Sequence, residues 1–214
     1  MGASSSNILK VSNKCLLATG LIILVLSVIG ILKFFIYVLV FLLSLIYSLS
    51  VCTMGELMIL SSLSFYIYAR KYGGAPSYAC AVLISFVGVG YFLLGCYTFI
   101  YLYIPSETNL FGIGIATTIV KSSLFFYGFV SIFLFFESRN GQIGGYGGLL
   151  ILLFSSATFM YVFSVELIRT LPGAIITSLS GIGYILQGIA LDRIFEPPRF
   201  RYPPPVRKRY IKLF

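Results

Sequence analysis

The sequence predicts an all-α, polytopic integral membrane protein: six transmembrane helices with both termini in the cytoplasm. Three observations predict it. Of 214 residues, 59% are hydrophobic and 10% charged, with a mean hydropathy of +1.01, where a soluble domain carries about a quarter charged residues. From Cys15 to Ala69 only Lys33 and Glu56 interrupt the apolar chain, and about 20 apolar residues cross a bilayer as a helix. The basic residues, finally, fall on one side when six spans are drawn. Stretches such as FLLSLIY and LLILLF lack the apolar/polar alternation of a transmembrane β-barrel.

Residues 1–14 are small, polar and basic, and read as a cytoplasmic N-terminal segment. Met1-Gly2-Ala3-Ser4-Ser5-Ser6 fits the N-myristoylation pattern with Gly2 as acceptor, an unmodified start being the alternative. Cys15, at the expected membrane edge, is a candidate for palmitoylation in the same context. The long apolar run from Cys15 to Leu32, followed at once by another, reads as a retained anchor rather than a cleaved signal peptide.

The spans are expected at about 15–32, 34–54, 78–102, 112–136, 145–166 and 172–191. The first two leave only Ile31-Leu32-Lys33 between them. An alternative at 22–47 and 51–69 buries Lys33 near mid-membrane, at ~2.5–3.5 kcal/mol on insertion scales. In the preferred reading Gly55–Ala69 extends the second helix past the bilayer or lies along its surface. Gly73-Gly74-Ala75-Pro76 breaks the chain before the third span, and Pro105–Asn109 makes the turn after it. The glycine-rich Gly141–Gly148 lacks the preceding strand and following Lys-Ser/Thr of a phosphate loop, and opens the fifth span as a close-packing face. Residues 15–191 then form the bundle and 192–214 a basic, Pro-rich cytoplasmic tail.

Charge orients this arrangement. Lys10, Lys14, Arg70, Lys71, Arg139 and seven tail residues fall on the cytoplasmic side, twelve in all, against Lys33 and Arg169 on the other. That is a positive-inside distribution. Although the net charge is +9, seven of the fifteen Lys and Arg lie in the last 22 residues. The partners this implies are membrane lipids, especially an anionic leaflet, or a cytoplasmic scaffold protein, and not nucleic acid. Arg207, Lys208 and Arg209 are the densest cluster and the expected tail interaction site.

No site for metal, cofactor or catalysis is expected. The chain has no His, and its four Cys lack metal or redox spacing. With sixteen Tyr and no Trp, Tyr is expected to serve as the interfacial aromatic. Three intramembrane polar residues are the candidates for function. Lys121, about nine residues into the fourth span, either lines a substrate path, pairs with an acid, or snorkels to a headgroup. Glu56 is expected at the cytoplasmic end of span two, and Gln187 bonded to a neighbouring helix. Glu166 and Arg169 are expected to pair one turn apart. Gly144 with Gly148, Ala174 with Ser178, Thr177 with Gly181, and Gly88 with Gly95 mark close helix contacts, within one chain or between copies in a homo-oligomer.

Six spans, two cytoplasmic termini, an acylation pattern at Gly2 and a basic tail resemble the glideosome-associated multi-span proteins of the apicomplexan inner membrane complex. Gly55-Glu56 after span two and Gly90-Tyr91-Phe92 in span three resemble COPI-associated Golgi tetraspan proteins. The absence of His, the few intramembrane charges and the lack of a cofactor motif lead to the expectation of a non-enzymatic structural protein that assembles laterally and presents its tail to a cytoplasmic scaffold. Two alternatives stand beside it: a channel or transporter organised around Lys121, and an accessory subunit of a respiratory or translocating complex.

Overall fold

A computed structural model describes residues 3–35, 40–138, 141–160 and 171–195. Within them lie six helices: α1 (Ala3–Phe35), α2 (Val40–Tyr72), α3 (Ala75–Tyr103), α4 (Glu107–Glu137), α5 (Gln142–Met160) and α6 (Leu171–Phe195). All but α5 are, over their described residues, long and apolar enough to cross a membrane.

The helices run longer than the hydropathy pattern suggests. The 33 residues of α2 make a rod of about 50 Å, against ~30 Å of bilayer hydrocarbon. The expected break at Ile31–Lys33 lies inside α1, which continues to Phe35. The alternative division at 22–47 and 51–69 fails too, because α2 is unbroken from Val40 to Tyr72. Residues 55–69 extend the second helix, the first of the two expected arrangements, and Met58 and Phe65 are fully buried in the core. The N-terminal segment is not loose. α1 starts at Ala3, and Leu9, Ser12 and Asn13 are buried. Residues 161–166 of the expected fifth span lie outside the described residues, as do Glu166 and Arg169.

Two turns follow their sequence signals. Between α2 and α3, Gly73 and Gly74 take φ of 76° and 104°, left-handed values that suit glycine, and Pro76 sits in the first turn of α3. Before α4, the Ser106 hydroxyl accepts from the Asn109 amide at 3.2 Å, a serine N-cap on a helix whose first turn carries Glu107.

Each helix packs antiparallel on its chain neighbours, and α6 packs back on α1, so the six form a closed ring. Small residues set the seams. Gly20 of α1 meets Gly181 of α6 so closely that a Cβ on Gly20 would lie 2.5 Å from the Gly181 carbonyl oxygen. Gly55 and Gly88 join α2 to α3 in the same way, and Gly147 and Gly183 join α5 to α6. Gly144 and Gly148 face Phe135 and Ser131 of α4, so this expected pair works within the chain. Polar contacts pin one end. Ser12 donates to the Leu60 carbonyl (2.7 Å) and accepts from the Ser64 amide (3.0 Å), while Asn13 donates to Asp192 (2.7 Å). That end carries Lys10, Lys14, Arg70, Lys71 and Arg193, with Lys71 lying 4.8 Å from the Tyr72 ring centroid. The outer surface is apolar, with Val25, Phe86, Phe126, Phe133 and Leu153 each more than half exposed or close to it.

Candidate functional site

The ring is solid in one half and hollow in the other. Toward the basic end, Phe65 stands edge-on to Tyr127 and Phe135 (centroids 5.9 and 6.1 Å), and Tyr127 stacks on Tyr184 at 6.1 Å. All four rings are buried. Gln187 from α6 accepts from the Tyr127 hydroxyl (2.6 Å) and donates to the Ser131 hydroxyl (3.0 Å), both on α4. The sequence expectation for Gln187, a bond to a neighbouring helix, holds. Since Gln187 is fully buried, its two bonds spare the amide the penalty of an unsatisfied group.

Beyond this plug lies a cavity of ≈ 120 Å³. All six helices contribute to its wall, for example through Leu26, Val51, Leu94, Leu124, Phe154 and Ser180 in chain order. Lys121 is among the lining residues and is half-buried. It stands 14 residues from the start of α4 and 16 from its end, roughly 21 and 24 Å along the axis. A four-carbon stem cannot carry the ammonium to either helix end from there. Among the described residues Lys121 has no ion pair or hydrogen bond.

The other polar groups of the wall are Tyr47, Tyr91 and a set of hydroxyls. Ser27, Thr117, Thr158 and Ser180 each donate to a carbonyl of their own helix, at 2.7–2.9 Å. Their protons are thereby committed, leaving lone pairs facing inward. Tyr91 has no hydrogen bond among the described residues. Tyr184, just below, keeps a buried hydroxyl without a partner among the described residues.

The remaining expected sites lie apart from the cavity. Glu56 is not at a helix end; it occupies the middle of α2, 16 residues from either terminus, and is exposed on the outer face. Cys15 is buried, 8% exposed. Because α1 begins twelve residues before it, its thiol is inside the packed helix and not offered at an edge for acylation. Gly2, Arg207, Lys208 and Arg209 lie outside the described residues. Tyr is not confined to interfaces: Tyr66, Tyr72, Tyr78 and Tyr103 are exposed near helix ends, but Tyr127 and Tyr184 are core. Sequence reasoning passed over Tyr47, Tyr91 and Thr117. The one available signal was spacing, since Thr117 and Lys121 stand four residues apart on one helical face. All four cysteines are free thiols, and Cys52 and Cys96 bring their sulfurs within 3.8 Å across the α2–α3 seam.

Comparison with protein-family models, with curated proteins and with solved structures finds no match.

Proposed function

We propose that this chain is a six-span membrane protein, both termini cytoplasmic, whose ring of helices carries small anions through a central cavity. One observation carries the reading: Lys121, at mid-helix, lines a cavity to which every helix contributes, and no described residue neutralises it. A lysine at mid-membrane costs ~2.5–3.5 kcal/mol on insertion scales, a cost that an anion arriving in the cavity offsets. Gathering the basic residues at one end supports the cytoplasmic assignment of that end. The aromatic plug at the same end makes this the closed side, so a carried anion enters from the opposite half and passes when the plug yields.

The test is flux. In proteoliposomes carrying the purified protein, at least one of chloride, phosphate and butanoate should cross faster than through empty vesicles, and Lys121→Met should abolish the difference. Equal flux in the presence and absence of protein, or flux indifferent to Lys121→Met, would overturn the proposal.

A second reading, lateral assembly as a scaffold, is favoured by Glu56. A carboxylate on the outer face at mid-helix is costly against lipid and is relieved by contact with another membrane chain, a second copy or an unlike subunit. It predicts a complex larger than one chain in mild detergent, dissociated by Glu56→Leu. A particle of monomer mass would count against it.

A further inference from the structure

We propose that the ligand of the cavity is a small organic monoanion, a carboxylate joined to a short apolar body of about three carbons. This deepens the anion-carrier reading and rests on it.

The donor set decides the charge. Of the polar groups in the wall, Ser27, Thr117, Thr158 and Ser180 have spent their protons on their own helices. Tyr47 and Thr177 also line the wall and are already engaged, while the Lys121 ammonium and the Tyr91 hydroxyl make no hydrogen bond among the described residues. One cation balances one negative charge, and two donors match the two oxygens of a carboxylate. A phosphate or sulfate dianion would enter with an uncompensated charge and most of its oxygens unbonded, which a low-dielectric site penalises heavily.

The wall decides the rest. Apart from these groups it is built from aliphatic and aromatic side chains such as Ile23, Leu26, Met54, Leu94 and Phe154. Against such a wall a bare halide loses its hydration shell and regains only the Lys121 and Tyr91 donors, while an alkyl body loses unfavourable contact with water. The volume of ≈ 120 Å³ is a little below the roughly 150 Å³ of a cavity that takes benzene. The inward lone pairs of Thr117 and Thr158 can accept from a hydroxyl on that body, so hydroxylated acids fit too.

Isothermal titration on the full chain in phosphatidylcholine nanodiscs, with empty nanodiscs as blank, tests this. The probes are sodium butanoate, its neutral analogue butanamide, sodium phosphate and sodium chloride. Butanoate should bind at least tenfold more tightly than any of the other three. Lys121→Met should weaken it at least tenfold, Lys121→Arg should preserve it within a few-fold, and Tyr91→Phe should weaken it several-fold. Butanamide binding as tightly as butanoate would overturn the proposal. Lys121-dependent binding of chloride or phosphate without butanoate would overturn the ligand class and leave the anion reading standing. No binding by any probe, with the wild-type chain folded, would remove both.

Discussion

The ring is closed by the Gly20–Gly181 seam, and a single methyl group there probes the whole architecture. A Cβ on Gly20 would stand 2.5 Å from the Gly181 carbonyl oxygen and 2.6 Å from Cγ1 of Ile185, where ordinary contact begins at 3.4 Å. The nearest obstacle is backbone, so it cannot swing aside as a side chain would. α1 and α6 must part by about 0.9 Å, and overpacking of this kind costs roughly 1–3 kcal/mol. Gly114 on α4 is the control, because a Cβ there meets nothing within 4 Å. Its replacement by Ala removes a helix-disfavouring residue and gains up to about 1 kcal/mol. The two substitutions are chemically identical and should differ in sign. Measured by reversible unfolding in mixed micelles, Gly20→Ala should raise the unfolded fraction roughly 5- to 150-fold, and Gly114→Ala should leave it level or lower it. A Gly20→Ala protein as stable as the Gly114→Ala protein would show that α1 and α6 do not meet at this seam.

Three further outcomes follow from contacts in the interior. Gln187→Leu removes two hydrogen bonds and strands the buried Tyr127 hydroxyl, so the same unfolding assay should record a loss of about 1–3 kcal/mol. Tyr184→Phe deletes a hydroxyl with no partner among the described residues and should be neutral or stabilising; a loss as large as that of Gln187→Leu would mean that the hydroxyl is satisfied. Mild oxidation with copper phenanthroline should reduce the titratable thiols from four to two by joining Cys52 to Cys96, whose sulfurs lie 3.8 Å apart, and Cys52→Ala should abolish that reduction.

How much of this was legible beforehand depends on range. Six helices and the turns at Gly73-Gly74 and Ser106 are written locally, in hydropathy, in φ-tolerant glycines and in a capping side chain. Gln187 was legible because a buried amide must find a partner. The helix ends were not: hydropathy marks where apolar residues stop, while α1 and α2 continue through Leu9 and Phe65 because packing holds their polar turns. Ring closure was also hidden, since nothing local says that Gly20 will meet a glycine 161 positions away. Lys121 could be named as a charge within a span, but whether it faced lipid or interior depended on how α4 turns among five neighbours. Tyr as a class was expected at the interfaces; the place of Tyr91 and Tyr184 inside the ring is set by tertiary packing.

The central claim, that Lys121 faces a hollow interior while the opposite side of α4 faces lipid, is tested most directly by thiol accessibility. In a background with the four native cysteines replaced by alanine, Lys121→Cys and Phe126→Cys are exposed separately to a membrane-impermeant anionic thiosulfonate, applied to proteoliposomes from either side. A thiol reacts as its thiolate and so needs water. The account predicts modification at position 121 and none at position 126, whose side chain is 56% exposed on the outer surface. Modification at 126 with position 121 inert would place the lysine against lipid and contradict the account.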